Sequence, residues 1–508
     1  MGFRRGDNRN LRSIAESLGV RNVVEGTVRR DGNRVRIIIR LVDARTDKTL
    51  WSETYDRSLT DIFAIQSEVA QTIASKLTAT LSPEEKKWIE QKPTENLEAY
   101  DLYLRANELI SNSTGGASKS KDELLEAVVF LEKAVRSDPN FVLAYCASAY
   151  ANDLLYWWFD QTPERLALVD AAVTEALRLQ PDLPEAHLAM ARYLYRGYRN
   201  YDGARVQLAI AKRGLPNSIE VTALEAFIDR RQGNMENAIA GLKAAVARDP
   251  KNRLSLEGLA ETLYNTRQFD AAAPFYDRLI ELRPDRLDYK LDKASTRFEK
   301  TGDLSAVSSA IAALPKSAEG DPDALDVAVW LSLVDRDWTK AEQLIERMRS
   351  REGGFFSYSD RPTPAECYSV LMARLRKDQP EANQVFAEIR KRLNLRVLEA
   401  PQDAFLLSNL AVLDGLLNRK EAAISEAKRA ANLLPISKDA VWGPGILANL
   451  AVVYAWTGDL DLAFETLGPL TEVPYGIFYG DLKRDPRWEP LRQDPRYDKL
   501  LAELAPKD

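Results

Sequence analysis

A repeated spacing of prolines constrains the fold of this chain more than any other feature of its sequence. The prolines in question are Pro139, Pro181, Pro216, Pro250 and Pro284, separated by 42, 35, 34 and 34 residues. A constant period of this length predicts an array of helix pairs. A single pair cannot bury its own apolar face, so neighbouring pairs must stack to build a continuous core. We therefore expect most of the chain to be a stack of helices.

A pattern of small and bulky residues precedes each of these prolines. The sets are Ala127/Leu131/Ala134, Val169/Val173/Ala176, Ala204/Leu208/Ala211, Ala238/Leu242/Ala245 and Ala272/Tyr276/Leu279. Weaker copies follow at Ala306/Ala310/Ala313, Ala341/Ile345/Met348, Ala423/Ala427/Ala430 and Ala463/Leu467/Leu470. The pattern resembles the tetratricopeptide repeat, in which small residues let the second helix nest against the first. The resemblance implies a mostly α fold, a right-handed α-solenoid of about ten helix-turn-helix repeats. Gly233, Gly302 and Gly458 fall at the expected turns between paired helices.

The amino-terminal part of the chain has a different periodicity. Alternation along residues 34–41 places Val35, Ile37, Ile39 and Leu41 on one face of a strand and Arg34, Arg36, Ile38 and Arg40 on the other. Residues 20–30 and 48–55 predict two further strands, and Asp31-Gly32-Asn33 predicts a tight hairpin between the first two. Helical spacing over residues 10–18 and 62–77 completes a small α-β-β-β-α unit.

Four segments of this unit carry a second resemblance. They are IAESLGVRNVVEGTVRR (14–30), RLVDA (40–44), LWSETYDR (50–57) and DIFAIQ (61–66). They resemble the bacterial TolB-amino-terminal-like (FlgO-like) domain, which precedes tetratricopeptide arrays in class III adenylate cyclases, winged-helix regulators and some serine/threonine kinases. The opening strand and helix of that family have no counterpart before Leu11, so the resemblance implies a domain that is either truncated or completed by a partner strand. We expect this domain over 1–81, a linker over 82–96, the superhelix over 97–474 and a capping segment over 475–508.

The composition limits the available chemistry. Cys146 and Cys367 are the two cysteines and His187 is the single histidine. These counts exclude a disulfide framework, a cysteine-based zinc site and any site that needs two imidazoles. We expect these three side chains to pack in the core, and we expect neither a metal site nor a cofactor.

Charge is distributed unevenly along the chain. The formal net charge is −6. Residues 1–40 hold ten arginines against four acids, which makes this segment +6 and leaves −12 for the rest. The three arginines Arg34, Arg36 and Arg40 could meet phosphate on nucleic acid or on an anionic surface. The alternative, a solvated sheet face or one covered by an acidic partner, is favoured because no reading helix or interleaved aromatic residue accompanies them.

The concave face of the predicted array supplies the main candidate binding site. The residues at its lining positions are Tyr150, Arg192, Tyr195, Arg196, Phe227, Arg230, Arg231, Glu261, Tyr264 and Asn265. Rigid aromatic rings combined with guanidinium groups suit an extended, acidic protein or peptide ligand. The alternative is that solvated arginines on a superhelix need no ligand.

Two further clusters have competing explanations. Residues 156–159, with Tyr193, Tyr195, Tyr198 and Tyr201, could floor a small-molecule pocket, although packing of an enlarged loop between repeats is the favoured explanation. Residues 112–120 are rich in Ser and Gly but lack the spacing of a phosphate-binding loop and join two helices, so we interpret them as a loop within a repeat.

These observations favour a non-enzymatic scaffold or sensor that binds a protein or peptide in the concave groove and regulates a bacterial signalling system. No kinase motif is present in the sequence. One alternative is an enzyme, a hydrolase or cyclase-related protein, with its site between repeats. A second is nucleic-acid or anionic-surface binding by the basic amino-terminal domain.

The sequence also suggests self-association through the amino-terminal domain. It contains no signal peptide or membrane span, which predicts a cytoplasmic location, or a periplasmic one if the chain is split from a membrane-anchored relative.

Overall fold

The chain forms two compact units in a computed structural model. The structure describes residues 12, 15, 20–32, 34–58, 61–77, 89–90, 92–113, 118–315, 320–349, 365–378 and 384–506. One unit comprises Met1–Val221 with Ala245–Lys251, and the other comprises Thr222–Ala244 with Asn252–Asp508.

The first unit begins with a three-stranded antiparallel sheet. Its strands, β1 (Asn22–Asp31), β2 (Arg34–Asp43) and β3 (Lys48–Ser58), follow one another in the order β1-β2-β3. Gly32 has a φ of +56° in the hairpin between β1 and β2, where the sequence predicts a positive φ. Asn33, which shares that prediction, lies outside the described residues.

The predicted faces of β2 are confirmed. Val35, Ile37 and Leu41 are buried while the arginines between them are exposed. The helix α1 (Ile62–Lys76) covers the apolar side, where Ile65 packs with Val35, Ile37 and Tyr55. The predicted helix over 10–18 lies outside the described residues except for Arg12 and Ala15, and both of these are helical.

Helix pairs make up the rest of the described chain. The first pairs are α2 (Leu97–Asn112) with α3 (Ser118–Ser137), α4 (Val142–Trp158) with α5 (Pro163–Leu179), and α6 (Pro184–Gly197) with α7 (Tyr201–Gly214). Next come α8 (Ile219–Arg231) with α9 (Met235–Arg248), α10 (Arg253–Asn265) with α11 (Phe269–Leu282), α12 (Asp288–Thr301) with α13 (Ser305–Ala312), and α14 (Pro322–Val334) with α15 (Trp338–Arg349). The last are α16 (Ala365–Leu375) with α17 (Gln384–Glu399), α18 (Ala404–Leu416) with α19 (Lys420–Leu433), and α20 (Gly443–Trp456) with α21 (Leu460–Leu467).

The chain ends in short elements. A 3-10 turn at Gly468–Thr471 is followed by α22 (Tyr479–Arg484), a second 3-10 turn at Pro486–Leu491, and α23 (Pro495–Leu504).

Packing within each unit follows the repeat pattern. The first helix of a pair contacts both its partner and the next first helix, as α4 does with α5 and α6, and α18 with α19 and α20. The small and bulky residues predicted to lie between paired helices are buried in the first five sets and in three of the four weaker ones. The prediction of a mostly α, tetratricopeptide-type solenoid with a small amino-terminal sheet is confirmed.

One predicted set is wrong by one residue. Ala306 and Ala310 are half-buried and Ala313 is exposed, whereas Val307 is buried against Phe298 and Leu331. Val307 takes the inward position instead, where it buries more apolar surface than an alanine would.

From α6 onward, the turn within each pair contains a left-handed residue, a feature absent from the turn between α4 and α5. The three predicted glycines have it, with a φ of +84° at Gly233, +70° at Gly302 and +85° at Gly458. In other pairs a residue other than glycine takes this position: Arg199, Arg267, Arg336, Lys377 and Asn418. A side chain there costs roughly 1 kcal/mol of backbone strain, so these residues hold a conformation that glycine would adopt freely.

Candidate functional site

In the first unit, α4 and α6 are each the first helix of a repeat pair, and they bring two of the predicted groove residues into direct contact. The guanidinium of Arg192 lies 4.0 Å from the centre of the Tyr150 ring, a stacked cation–π geometry. Both side chains are half-buried. Among the described residues Arg192 forms no ion pair, so its hydrogen-bond donors remain available at the surface.

A carboxylate lies two turns away on the same helix. Glu185 is half-buried and, within the described chain, also forms no ion pair. Burial is the main reason why its pKa is raised, and the charge of Glu220 adds to the effect. The face of α6 therefore presents one cation and one anion that form no ion pair within the part of the chain that the structure describes, although Arg192 lies close enough to Asp153 to favour the ionised form of that carboxyl.

Arg196, the other predicted arginine of this helix, is already paired. Its side chain is 11% exposed and donates a hydrogen bond to Asp153, whose own side chain is 3% exposed. Burial raises the pKa of Asp153, although Arg196 opposes that rise. Arg196 is thus hydrogen-bonded to its counter-ion, whereas Arg192 acts on Asp153 only through its charge at longer range.

The aromatic concentration near the ends of α4 and α6 packs on itself. Trp157 contacts Tyr195 with ring centres 6.3 Å apart and also lies under Arg196. Tyr195 in turn contacts Tyr201, and Tyr193 contacts Tyr198. These contacts match the packing explanation given for this cluster.

In the second unit, the predicted groove residues contact other parts of that unit. Arg230 is 2.8 Å from Glu261 and lies over the ring of Phe227. Arg231 pairs with Asp439 at 3.2 Å and stacks on Trp442. Arg230 and Arg231 are buried and paired with carboxylates of the chain, so they neither face a ligand as the main prediction has it nor lie in solvent as the alternative has it.

The tail of the chain covers the remaining groove residues of this unit. Tyr264 packs edge to face against Phe478, and the backbone carbonyl of Asn265 accepts a hydrogen bond from Tyr475 N at 3.1 Å. Arg267, which the sequence did not single out, donates to the carbonyls of Val473 and Ile477 at 3.1 and 3.0 Å.

Further along, the tail contacts α12, the turn after α14 and the last repeat. Arg484 donates to the carbonyl of Gly302 at 3.1 Å. The backbone N–H of Asp481 donates to Glu299 at 2.9 Å, and Arg336 pairs with Glu489 at 2.8 Å. On the last repeat, Trp456 donates to the carbonyl of Arg487. The segment after Pro474 thus lies against first helices of the same array on which the sequence predicted a ligand.

The basic face of the sheet is less basic than the sequence suggests. Asp56 pairs with Arg34 at 2.9 Å and approaches Arg36 at 3.9 Å. Strand pairing also places Glu25 opposite Arg40 and Asp31 opposite Arg34, and these neighbours point to the same side. Three carboxylates therefore share the face with its arginines, which argues against a strong phosphate-binding surface.

The single histidine is hydrogen-bonded within the chain, and the two cysteines are buried. His187 lies between the side chain of Gln207 at 2.7 Å and the carbonyl of Pro181 at 2.8 Å, so both ring nitrogens have partners. Cys146 and Cys367 are buried free thiols, and burial raises the pKa of Cys146 to about 12. A thiol with this pKa is a poor nucleophile at neutral pH.

The described part of the chain has neither a metal-ligand cluster nor a membrane-spanning helix. There, no cluster of three or more His, Cys, Asp or Glu residues is arranged to hold a metal ion. None of the described helices combines the length and the apolar character needed to cross a bilayer.

Helix pairs of this period and packing form a tetratricopeptide-type solenoid, and residues 230–295 match the family model described as Tetratricopeptide repeat. The chain is 33% identical over 189 residues to the protein named Putative adenylate cyclase 3 of Rhizobium meliloti (strain 1021). That match covers 37% of this chain and 31% of the relative, so the chain spans less than a third of the relative's length.

Solved structures with similar helical folds come from several organisms. A thermophilic tetratricopeptide protein of Thermus thermophilus has a TM-score of 0.33 and 17% identity, covering 39% of this chain and 98% of that one. Yeast Tom70 has a TM-score of 0.34 and 13% identity, covering 82% and 93%. A human IFIT1 dimer has a TM-score of 0.39 and 14% identity, covering 72% and 76%.

Proposed function

We propose that this chain is a non-enzymatic interaction module that binds an acidic peptide segment of a partner protein on the face of α6, with Arg192 as the anchor. The observation that carries the proposal is the stacking of Arg192 on Tyr150 without an ion pair among the described residues. Stacking fixes the plane of the guanidinium and leaves its edges able to hold a carboxylate with two parallel hydrogen bonds.

A comparison within one helix supports this assignment. Arg196 follows Arg192 by four residues and forms an ion pair with Asp153, while Arg192 lies over a ring and forms no ion pair in the described chain. The half-burial of Arg192 should strengthen binding. A carboxylate bound there is partly shielded from water, so its attraction to the guanidinium exceeds that of a fully exposed ion pair.

The distance between Glu185 and Arg192 suggests the spacing of charges in the bound peptide. Glu185 and Arg192 are seven residues apart on α6, which is about 10 Å along a helix axis. An extended peptide covers the same distance in about three residues. The preferred segment then carries an acidic residue at Arg192 and a basic residue three positions away at Glu185.

Selection of peptides from a random phage-displayed library tests this proposal directly. We expect peptides enriched on the intact chain to contain an acidic and a basic residue three positions apart. Their affinity, measured by fluorescence polarisation, should fall by about tenfold to a hundredfold in Arg192→Ala, because hydrogen bonds to charged groups are lost.

Two further variants sharpen the result. Arg192→Lys should also weaken binding, since an ammonium neither stacks as well nor donates in parallel. Arg213→Ala makes the same charge change at an exposed position of α7 and should leave affinity unchanged. Equal affinity of the selected peptides for the intact chain and for Arg192→Ala would contradict the proposal.

We also propose that the module is a regulatory part of a bacterial signalling system of the adenylate cyclase type. The match to Putative adenylate cyclase 3 and the three-stranded sheet, which fits the TolB-amino-terminal-like resemblance, support this. Catalysis by the chain itself is the competing proposal. Incubation of the purified chain with ATP and Mg²⁺ tests it, and we expect no cyclic AMP.

Self-association through the amino-terminal domain stays a prediction. β1 is an edge strand in the described sheet, and its Val24 and Val28 are exposed. Light scattering of the intact chain and of Val28→Asp checks it: a dimer that becomes a monomer in the variant is the expected result, and a monomer in both contradicts it.

A further inference from the structure

A pocket of about 190 Å³ opens in the second unit between the tail and the helices α12, α14 and α16. One water needs only about 10–15 Å³ on a comparable measure, so a small organic group can enter. The side chains that define its chemistry are Phe298, Glu299, Asp326, Trp330, Asp481 and Asp485. None of them belongs to the peptide-binding face proposed above.

Most of the charge around this pocket is negative. Glu299, Asp326, Asp481 and Asp485 line it together with one cation, Arg487. Arg487 is already committed to the tail, at 2.6 Å from Asp485 and 3.8 Å from Asp481. Burial alone would raise the pKa of Asp485, but Arg487 outweighs this effect and lowers it, so that carboxylate stays ionised and paired.

Asp326 differs from the two tail carboxylates. It accepts a hydrogen bond from the hydroxyl of Tyr368 at 3.0 Å. Among the described residues it has no ion-pair partner, although it stands half-buried in the middle of the apolar helix α14. A half-buried carboxylate with one neutral donor gains considerably from a cation placed beside it.

The walls next to Asp326 are aromatic. Trp330 is one turn further along α14 and meets Phe298 edge to face, with ring centres 5.2 Å apart and planes at 69°. Aromatic faces attract organic cations and cover the methylene groups attached to them. A bare metal ion would lack the three or more grouped ligands that it needs, since the described residues contain no such group.

We propose that this pocket binds an organic cation, an alkylammonium or guanidinium group, with Asp326 as its counter-ion and Trp330 and Phe298 as its apolar wall. The surplus of carboxylates excludes an anionic ligand by repulsion, and the rings favour a cation that carries carbon over a hydrated inorganic one. The site is independent of the proposed peptide surface, so failure of either proposal leaves the other intact.

Isothermal titration of the full chain with two probes tests this inference. Cadaverine represents a free amine, and an acetylated, amidated glycine–lysine–glycine peptide represents a lysine side chain of a protein. We expect saturable binding of at least one of them, and the tighter of the two identifies the source of the cation. The same peptide with an acetylated lysine carries no charge and should not bind.

Substitutions at the pocket test whether the probes bind there. Asp326→Asn keeps the hydrogen bond from Tyr368 and removes the charge, so affinity should fall by about tenfold or more. Trp330→Leu removes the ring and should also weaken binding. Asp335→Asn makes the same charge change at an exposed position beyond α14 and should bind like the intact chain. Absence of saturable binding by both probes, or equal binding by the intact chain and Asp326→Asn, overturns the inference.

Discussion

Arg231 and Asp439, 208 positions apart in the sequence, form an ion pair that is buried on both sides. The side chains are 4% and 0% exposed, and the N–H of Ala440 donates to the carbonyl of Arg231 at 2.8 Å. Asp439 also accepts from the backbone N–H groups of Val441 and Trp442. This pair joins the end of α8 to the turn that begins α20.

Removing one partner of this pair should destabilise the second unit strongly. In Arg231→Ala, the carboxylate of Asp439 stays buried without its counter-ion, which costs about 3–5 kcal/mol. Urea denaturation followed by circular dichroism measures the change. The double variant Arg231→Met with Asp439→Asn leaves no uncompensated charge and keeps the backbone acceptor, so it should cost less than Arg231→Ala alone.

An exposed pair of the same unit provides the control. Lys300 and Asp270 are 2.7 Å apart, with side chains 41% and 85% exposed. Lys300→Ala should change stability by less than about 1 kcal/mol, because such pairs are largely screened by water. Equal effects of Arg231→Ala and Lys300→Ala would mean that the buried pair does not fasten α8 to the turn.

Gly480 allows the tail to approach α12 closely. A Cβ at this position would overlap the backbone carbonyl of Phe298, which cannot move aside as a flexible side chain could. We expect Gly480→Ala to cost about 1–3 kcal/mol and to detach α22 from α12. Hydrogen exchange should then speed up over residues 479–484, and binding of cadaverine should be lost with the pocket wall.

Gly468 offers a matched control for this substitution. It has helical backbone angles, and a Cβ added there would have nothing within 4 Å. Gly468→Ala should leave hydrogen exchange of the tail unchanged. Fast exchange of the tail in the intact chain, or unchanged exchange in Gly480→Ala, would show that α22 is not held by this contact.

The repeats were predictable from the sequence because their information is local. Each of these features acts within its own helix pair: the prolines, small residues such as Ala204 and Ala211, and the left-handed Gly233. The same packing arrangement then recurs from pair to pair. The pairing of Arg231 with Asp439 has no such signal, because two residues 208 positions apart carry no periodicity that links them. The repeat spacing predicted a concave position for Arg231 and could not identify Asp439 as the carboxylate that pairs with it.

The pocket around Asp326 was missed for a related reason. Its walls come from repeats and from the tail, and only folding brings them together. One signal was available: Asp326 interrupts the apolar run of α14, PDALDVAVWLSLV, and an acid in such a run is costly unless it has a role. In contrast, the sequence could name Arg192 and Tyr150, which are in contact, because they belong to neighbouring first helices and follow the repeat spacing; their role in binding stays a prediction.

Arg267 holds the start of the tail through its guanidinium, and its backbone has a φ of +61°. Arg267→Gly removes the donors to Val473 and Ile477 and keeps the left-handed turn free of strain. Hydrogen exchange over residues 473–478 should therefore speed up without loss of α10 or α11. Lys377→Gly, with a φ of +64° and an exposed side chain, makes the same backbone change elsewhere and should leave the tail protected.

Asp326 should make the stability of the fold depend on pH, and the direction of that dependence follows from the pKa of this carboxyl. Burial raises the pKa of this carboxyl to about 6 from an ordinary value of 3.8, an effect that Tyr368 and Arg487 partly oppose and Asp485 reinforces. Glu299 and Asp481 also line the same space. Between these two pKa values the folded chain binds a proton that the unfolded chain does not, so the carboxyl destabilises the fold above pH 6 and the cost disappears as the pH falls.

Asp326→Asn should therefore stabilise the chain at pH 7.5 and have little effect at pH 4. The difference between the two pKa values corresponds to at most about 3 kcal/mol, and because the side chain is only half-buried we expect about 1–2 kcal/mol. Urea denaturation of the intact chain and the variant at both pH values measures it, with Asp335→Asn as the exposed control. Equal effects of Asp326→Asn at the two pH values would contradict the raised pKa. A gain at pH 7.5 together with loss of cadaverine binding would show that the chain retains a destabilising carboxylate because the pocket uses it.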